Sequence, residues 1–402
     1  MTTRLPDQLV VSLSDIEMGA GGVLDDFPHT PFLAGLLQAY AGPRFQDLEV
    51  HIVFNGDTFD FLKMPVDGAF PTAITESVAL AKLDIVFRNH PDFFEGIAGF
   101  LRDKNGRGMV HFTVGNHDFE ILFPAVQERI RQRIGHAGVH FPGVSVDFGD
   151  LHIEHGSQAD SMFYIDPEHP FIDTPSGPIL RLPWGSIALL EVAMPMHELV
   201  YDLDRLKPRN RVFELLPDLR DFVVGAFWDY WRHSARDWLG PDPVKRVSWT
   251  MLKDVAYRFR SKSTEVDGAE SYRQTLLDEP STRVITIGHF HQPSWWTHAN
   301  RKLLVTGCLR DEFSLDRDGN ITAILPKVYG EFFLCAGQVV RSHLVEIDGP
   351  TPAPGHFPTS VYDVLPRIRP LLAPHEERSR MRDAEADQHE RECSDDCEPK
   401  PK

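Results

Sequence analysis

Apolar residues in the first half of the chain fall into short runs that end in polar residues, separated by longer stretches with helical spacing. Gln8 to Ser14 (QLVVSLS), Glu49 to Phe54 (EVHIVF) and Val110 to Val114 (VHFTV) are rich in Val, Ile and Phe, as buried strands are. Pro31 to Tyr40 and Thr72 to Arg102 repeat their apolar positions at helical intervals, so the pattern predicts α/β units. From Gly143 the texture changes to closely spaced strands, Val144 to Phe148 and Leu151 to Glu154, with the hairpin signal Gly149-Asp150 between them. Strand-like runs return at Val284 to Ile287, Lys302 to Thr306, Ile321 to Leu325, Glu331 to Cys335 and Val339 to Ile347, and are expected to complete a second sheet.

Between the two β regions the spacing turns helical again. Ser186 to Leu206, Arg211 to Trp238 and Val244 to Arg260 carry Leu, Val, Phe and Trp at helical intervals, bounded by joints such as Lys207-Pro208 and Gly240-Pro241-Asp242-Pro243. The expected organisation is a core in two parts, 1–156 and 282–350, interrupted by a mainly helical insertion at 157–281 and followed by an extension at 351–402. From about Pro374 onward that extension is charged and poor in apolar residues, the composition of a solvated, disordered tail. Its Cys393, Cys397 and His389 match no closed zinc site in number or spacing. Trp184, Trp228, Trp231 and Trp238 suit a helical cap with its own core, or a surface that accepts an acyl chain or aromatic group.

Composition narrows the function classes. With 42% hydrophobic and 25% charged residues the chain reads as a globular protein with a packed core. A formal net charge of −18 disfavours general nucleic-acid binding, because phosphate backbones are held by Lys and Arg clusters. The four cysteines form no disulfide framework, and Cys308 reads as a small buried residue. No secretory signal or long uncharged apolar run occurs, so the expected location is cytoplasmic, with membrane contact left open only at the surface of the insertion.

The chemistry sits where predicted strands end. Five polar segments stand there: Ser14-Asp15-Ile16-Glu17, Asn55-Gly56-Asp57-Thr58-Phe59-Asp60, Gly115-Asn116-His117-Asp118, Glu154-His155-Gly156 and Gly288-His289-Phe290-His291. In open α/β sheets that edge is where ligand sites form. Asp15 and Glu17 are two residues apart, so an extended chain would point both carboxylates to one side, and His289 and His291 repeat that spacing with imidazoles. Glycines before Asp57, Asn116 and His289 are expected to relax sharp turns and leave room for ions and substrate. A mixed set of Asp, Asn and His suits Mn²⁺, Fe or Zn²⁺, and two cations about 4 Å apart can clamp both oxygens of a phosphoryl displacement.

In this order the segments resemble the signature of the calcineurin-like metallophosphoesterase superfamily: Asp-x-His, Gly-Asp-x-x-Asp, Gly-Asn-His-Asp or Glu, a lone His, and Gly-His-x-His. The resemblance covers roughly residues 8 to 160 and 282 to 347. It implies an α/β fold with a two-sheet β-sandwich flanked by helices. It also implies a first metal at Asp15, Asp57 and His291, and a second at Asp57, Asn116, His155 and His289, with Asp57 as the bridge. His117 would contact the phosphate and protonate the leaving oxygen, with Asp118 orienting it; Asp60 would be structural or lie behind the ligands. This sequence departs from the signature at Glu17, where the family has histidine. Glutamate is long enough to ligate, so Glu17 is taken as a further ligand of the first metal, favouring Mn²⁺ or Fe²⁺ over Zn²⁺.

The expected activity is hydrolysis of a phosphate ester or pyrophosphate by a metal-activated hydroxide, with two divalent ions, manganese first and iron or zinc as alternatives. The substrate would be a phosphorylated small molecule or a lipid-linked phosphate; bacterial UDP-2,3-diacylglucosamine pyrophosphatases, which the chain distantly resembles, also carry a helical insertion. Two rival readings are a catalytically weak binding protein on the same fold, favoured by Glu17, and a metal-dependent nuclease, disfavoured by the acidic balance.

Overall fold

The computed structural model describes residues 5–201, 203–237, 253, 269–351, 359–370 and 372. The predicted helix at Val244 to Arg260, apart from Lys253, lies outside the described residues, as do Trp238 and the charged tail with His389, Cys393 and Cys397. The chain is a mixed α/β protein with several sheets. Strands β1 (Gln8–Leu13), β2 (Glu49–Asn55), β3 (Gly108–Thr113) and β4 (Val139–Gly143) run parallel in that order. Their crossovers hold helices α1 (Thr30–Ala41), α2 (Glu76–Asn89), α3 (Pro91–Asp103) and α4 (Pro124–Ile134). Local sequence marks the helix ends. Thr75 caps α2 through its side chain on Val78 N, prolines open α1, α3 and α4, and Gly135, at φ 70°, closes α4 in the left-handed region.

Period-two alternation then assigns the two faces of this sheet. Leu9, Val11 and Leu13 of β1 join Val50, Ile52 and Phe54 of β2 in the core under the helices, where Leu33, Leu37, Phe93, Phe94 and Ile97 meet them. Val10 and Val53 point the other way. They pack with Leu151, Ile153, Val284 and Leu304, which belong to a second sheet. That sheet holds β5 (Ser145–Phe148), β6 (Leu151–Glu154), β10 (Val284–Ile287), β11 (Ser294–His298) and β12 (Arg301–Val305), in the order β11-β12-β10-β6-β5. Smaller pieces are a hairpin of β7 (Phe171–Thr174) with β8 (Gly177–Leu180), and a sheet of β9 (Leu206–Lys207), β13 (Phe313–Leu315) and β14 (Ile321–Ile324).

Some sequence expectations need correction. The runs ending in Cys335 and Ile347 are β15 (Lys327–Cys335) and β16 (Gln338–Ile347), and they extend the first sheet rather than the second, with β15 antiparallel to β1. Thr72 to Arg102 is two helices, broken at His90-Pro91, and Pro217 likewise splits the second helical stretch into Arg209–Leu215 and Pro217–Asp237. The stretch from Ser186 is helical to Val200, but in consecutive pieces of different pitch, α to Ala188, π over Leu189–Ala193, 3-10 over Met194–Met196 and α over His197–Val200, rather than one regular α-helix to Leu206. Among the described residues of the insertion, Trp184 packs against Tyr230 and Trp231, and Trp228 stacks on Trp231 at 4.9 Å. No helix among the described residues is long and apolar enough to cross a membrane.

Candidate metal centre

Strands β1, β2 and β3 are mutually parallel, as are β6 and β10, and each leads from its C-terminal end into one of the polar segments. Backbone bonds lock those segments together. Ile16 N and Glu17 N both donate to Asp57 O, at 3.0 and 2.8 Å, while Leu309 N and Arg310 N both donate to Asp15 O at 3.0 Å. Gly288 N reaches His155 O at 2.7 Å, and His289 N reaches Asp15 Oδ2 at 3.0 Å.

Asp15, Glu17, Asp57, His289 and His291 have φ between 49° and 68°, and they make up five of the nine non-glycine residues with positive φ among the described residues. Left-handed backbone is unfavourable for side chains with a Cβ and persists where the surroundings over-determine it. The paired side chains therefore converge through left-handed loops, and not through the alternation of an extended chain that their spacing suggests. The glycines act mainly by close approach. A Cβ on Gly115 would lie 2.1 Å from Asp57 Oδ1, and one on Gly288 would lie 1.9 Å from Ser14 Oγ and 2.5 Å from Asp15 Oδ2. Gly56 combines φ 71° with the His155 ring against its α-carbon.

Seven side chains singled out in the sequence as ligands meet here. Asp57, His155 and His289 place one donor atom each within 4.8 Å of one another, and so do Asp15, Glu17 and His291. Asn116 Oδ1 lies 3.2 Å from His155 Nε2, which is 3.1 Å from Asp57 Oδ2 and 3.9 Å from Asp15 Oδ1. On its other side Asp15 Oδ1 is 3.1 Å from His291 Nε2, so the two groups adjoin. Asp15 Oδ1 is buried and makes no well-directed hydrogen bond even to that imidazole. An orphaned carboxylate oxygen between two imidazole nitrogens is a donor that suits a cation.

The imidazoles are turned for the same task. His155 Nδ1 lies 2.9 Å from Asn55 O and His291 Nδ1 lies 2.7 Å from Glu312 Oε1; both partners are acceptors, so in the neutral rings Nδ1 carries the proton and Nε2 offers its lone pair. The surrounding carboxylates favour positive charge on these rings, a demand met by a proton or, in its place, by a cation. Burial pushes His155 down, but Asp57 and Asp15 outweigh it and lift the imidazole to about 9. Burial would raise the Asp15 carboxyl, yet His291 and His155 hold it at about 2.

His117 has a different holder from the one expected. Asp118 does not orient it: its Oδ1 accepts from Gly115 N at 2.7 Å and its Oδ2 from Thr58 N at 2.8 Å, pinning the β3 loop to the β2 loop. Burial, then Asp57, raise the Asp118 carboxyl to about 7. The residue that holds His117 is Asp60, whose Oδ1 takes Nδ1 at 2.8 Å. Burial works against a charged His117, but Asp60 and Asp57 lift it to about 10.

Several charged residues that no sequence motif marks surround Glu17. Glu17 Oε1 faces His291 Nε2 at 3.6 Å, while Oε2 is 2.8 Å from Arg310 Nη1 and 3.2 Å from Lys63 Nζ. Lys63 also pairs with Asp26 and with Asp60 Oδ2 at 3.0 Å, and Asp204 Oδ2 lies 3.3 Å from Lys63 Nζ and 3.1 Å from Arg310 Nη1. Glu312 takes Arg310 Nη2 at 3.1 Å and Lys207 Nζ at 3.0 Å. The visible signal was Arg310-Asp311-Glu312, three consecutive charges just after the apolar run that ends in Leu309. Cys308 is buried beside His291 and Glu312, and burial raises its thiol.

No protein-family model matches the sequence, and no curated protein does. Among solved structures, similarity extends to vacuolar protein sorting 29 from Cryptosporidium parvum, at 11% identity and TM-score 0.27 over 86% of this chain and 100% of that one. It extends also to the phosphopantetheinyl hydrolase PptH from Mycobacterium tuberculosis, at 11% identity and TM-score 0.22 over 76% of this chain and 91% of that one. Likeness at these scores carries no weight for fold or function, so the functional reading rests on the residues of the centre itself.

Proposed function

We propose that this chain is a dinuclear metal-dependent phosphoesterase, acting on a phosphate ester or pyrophosphate, with its centre on a two-sheet sandwich interrupted by the insertion at 157–281. The observation that supports this best is the unbroken run of donor atoms from His291 through Asp15 and His155 to Asp57, Asn116 and His289. Asp15, Glu17 and His291 would hold one cation and Asn116, His155 and His289 the other, with Asp57 shared. When bound, such cations supply positive charge for the phosphoryl oxygens and lower the pKa of water.

The chain's own residues do the rest. His117, with Nδ1 held by Asp60, keeps Nε2 for the substrate; its raised pKa makes it a proton donor to the leaving oxygen. Asp118, by gripping Gly115 N and Thr58 N, holds the loop of Asn116 and His117 in register with Asp57. Buried Ser14 donates to Asp15 Oδ2 at 2.6 Å, which leaves Oδ1 as the donor.

The test is a screen of phosphate esters, including bis-p-nitrophenyl phosphate and detergent-solubilised lipid phosphates, against added Mn²⁺, Fe²⁺ and Zn²⁺. Hydrolysis that requires added metal and vanishes in Asp57→Asn is the expected result, and the preferred ester separates soluble from lipid-linked substrates. A chain that binds no divalent metal would refute the reading. The ion pairs of Glu17 favour one alternative, a catalytically weak binding protein, which would bind metal in the same screen without turnover.

A further inference from the structure

Glu17 is a carboxylate with two claims on it. Its Oε1 faces His291, whereas Oε2 is committed to Arg310 at 2.8 Å and Lys63 at 3.2 Å. Both cations are fixed from behind. Asp26, Asp60 and Asp204 hold Lys63, and Asp26, Asp204 and Glu312 hold Arg310, so neither can swing away without stranding buried carboxylates. The ammonium of Lys63 also lies among Glu17, Asp26 and Asp60; the grouping of Glu17, Asp60 and His117 thus already contains a cation of the chain's own. The other side of the centre differs. Among the described residues Asp57, His155 and His289 make no ion pair with a lysine or arginine; their pairs are with one another, with Asp15 and with Asp160.

We propose that the Lys63 and Arg310 pair makes the two metal positions unequal: the position at Asp57, Asn116, His155 and His289 binds its cation tightly, and the position at Asp15, Glu17 and His291 binds loosely and exchanges. This rests on the dinuclear reading above. Two fixed positive charges repel a third across a shared carboxylate, and a carboxylate already neutralised at one oxygen donates less at the other. Occupancy of the loose position then follows the free metal concentration, and Glu17 in place of a neutral ligand does not tighten it. Asp204 ties this balance to the segment of β9, because it neutralises both cations from a side chain that is 38% exposed.

The experiment is calorimetric titration of the chelator-stripped full chain with Mn²⁺, paired with counting of the manganese retained after desalting. Two steps are expected, the second at least tenfold weaker, with one ion retained. Lys63→Met should strengthen the weak step at least tenfold and leave the tight one in place. Should that variant fail to fold, Asp204→Asn carries the test: it leaves the pair less neutralised and should weaken only the loose step severalfold. Two steps of equal affinity, or a weak step that moves in no folded variant, overturn the proposal while leaving the dinuclear reading standing. Absence of any manganese binding overturns that reading and this inference with it.

Discussion

Three histidines stack across β2, β3 and β4, far from any proposed ligand role, and they make stability depend on pH in a calculable way. His51 Nδ1 lies 3.1 Å from His111 Nε2, the His111 and His140 rings are 5.1 Å apart, and the Phe148 ring meets both His51 and His111 edge-on. His111 is only 8% exposed, and burial, helped by His51 and His140, holds its imidazole down at about 3, against 6.5 for a free one. A folded pKa below the unfolded one means that the unfolded chain takes up a proton the folded chain refuses. Stability is therefore complete above pH 6.5 and is lost as pH falls from there toward 3. At about 1.4 kcal/mol per pH unit, lowering the pH from 7.5 to 5 removes about 2 kcal/mol through His111 alone. Urea unfolding followed by tryptophan fluorescence, at both pH values in chelator, measures this for the native chain and for His111→Asn. Groups elsewhere titrate alike in the two chains and cancel in the comparison. The native chain should lose about 2 kcal/mol more than the variant; equal losses within about 0.5 kcal/mol would refute the assignment of a neutral, buried His111.

Other consequences can be checked independently. Lys82 and Glu120 form a fully buried pair at 2.7 Å, so Lys82→Met should cost about 3–5 kcal/mol in urea unfolding and Lys82→Met/Glu120→Leu should recover most of it; a single-variant cost below about 1 kcal/mol would contradict this. Gly115→Ala would force a methyl to within 2.1 Å of Asp57 Oδ1 and 2.5 Å of the Asp57 backbone nitrogen, so the variant should keep its far-ultraviolet spectrum but lose bound metal on desalting. Asp60→Asn removes the carboxylate that holds the proton on His117; kcat should fall about 100-fold and the alkaline limb of its pH profile should move to lower pH, and an unmoved limb would exclude His117 as the acid.

How much of this was legible in the sequence depended on how local each signal was. Strand runs such as QLVVSL and EVHIVFN are dense in Val, Leu and Ile, and the polar residues that follow them mark where the parallel strands end, so the ligand candidates could be named. Which sheet a strand joins is a matter of long-range pairing. Nothing in the alternation of Lys327–Cys335 says that its partner is β1 rather than β12. Asp118 is adjacent to His117 in sequence and Asp60 is not, yet the loop geometry hands the imidazole to Asp60 and turns Asp118 onto backbone amides. The ion pairs of Glu17 draw on Lys63 and Arg310, which Asp204 pairs with in turn, three segments that only tertiary packing brings together. Pro91 and Pro217, by contrast, were visible helix breaks that the apolar periodicity on either side obscured.

The left-handed turns at Asp15, Glu17, Asp57, His289 and His291 carry an evolutionary implication. Each holds about 1–2 kcal/mol of backbone strain that glycine would relieve, and glycine at any of them would also delete the side chain on which the centre depends. Selection for thermal robustness alone would thus erode these five positions first, and glycine there would trade the centre for stability.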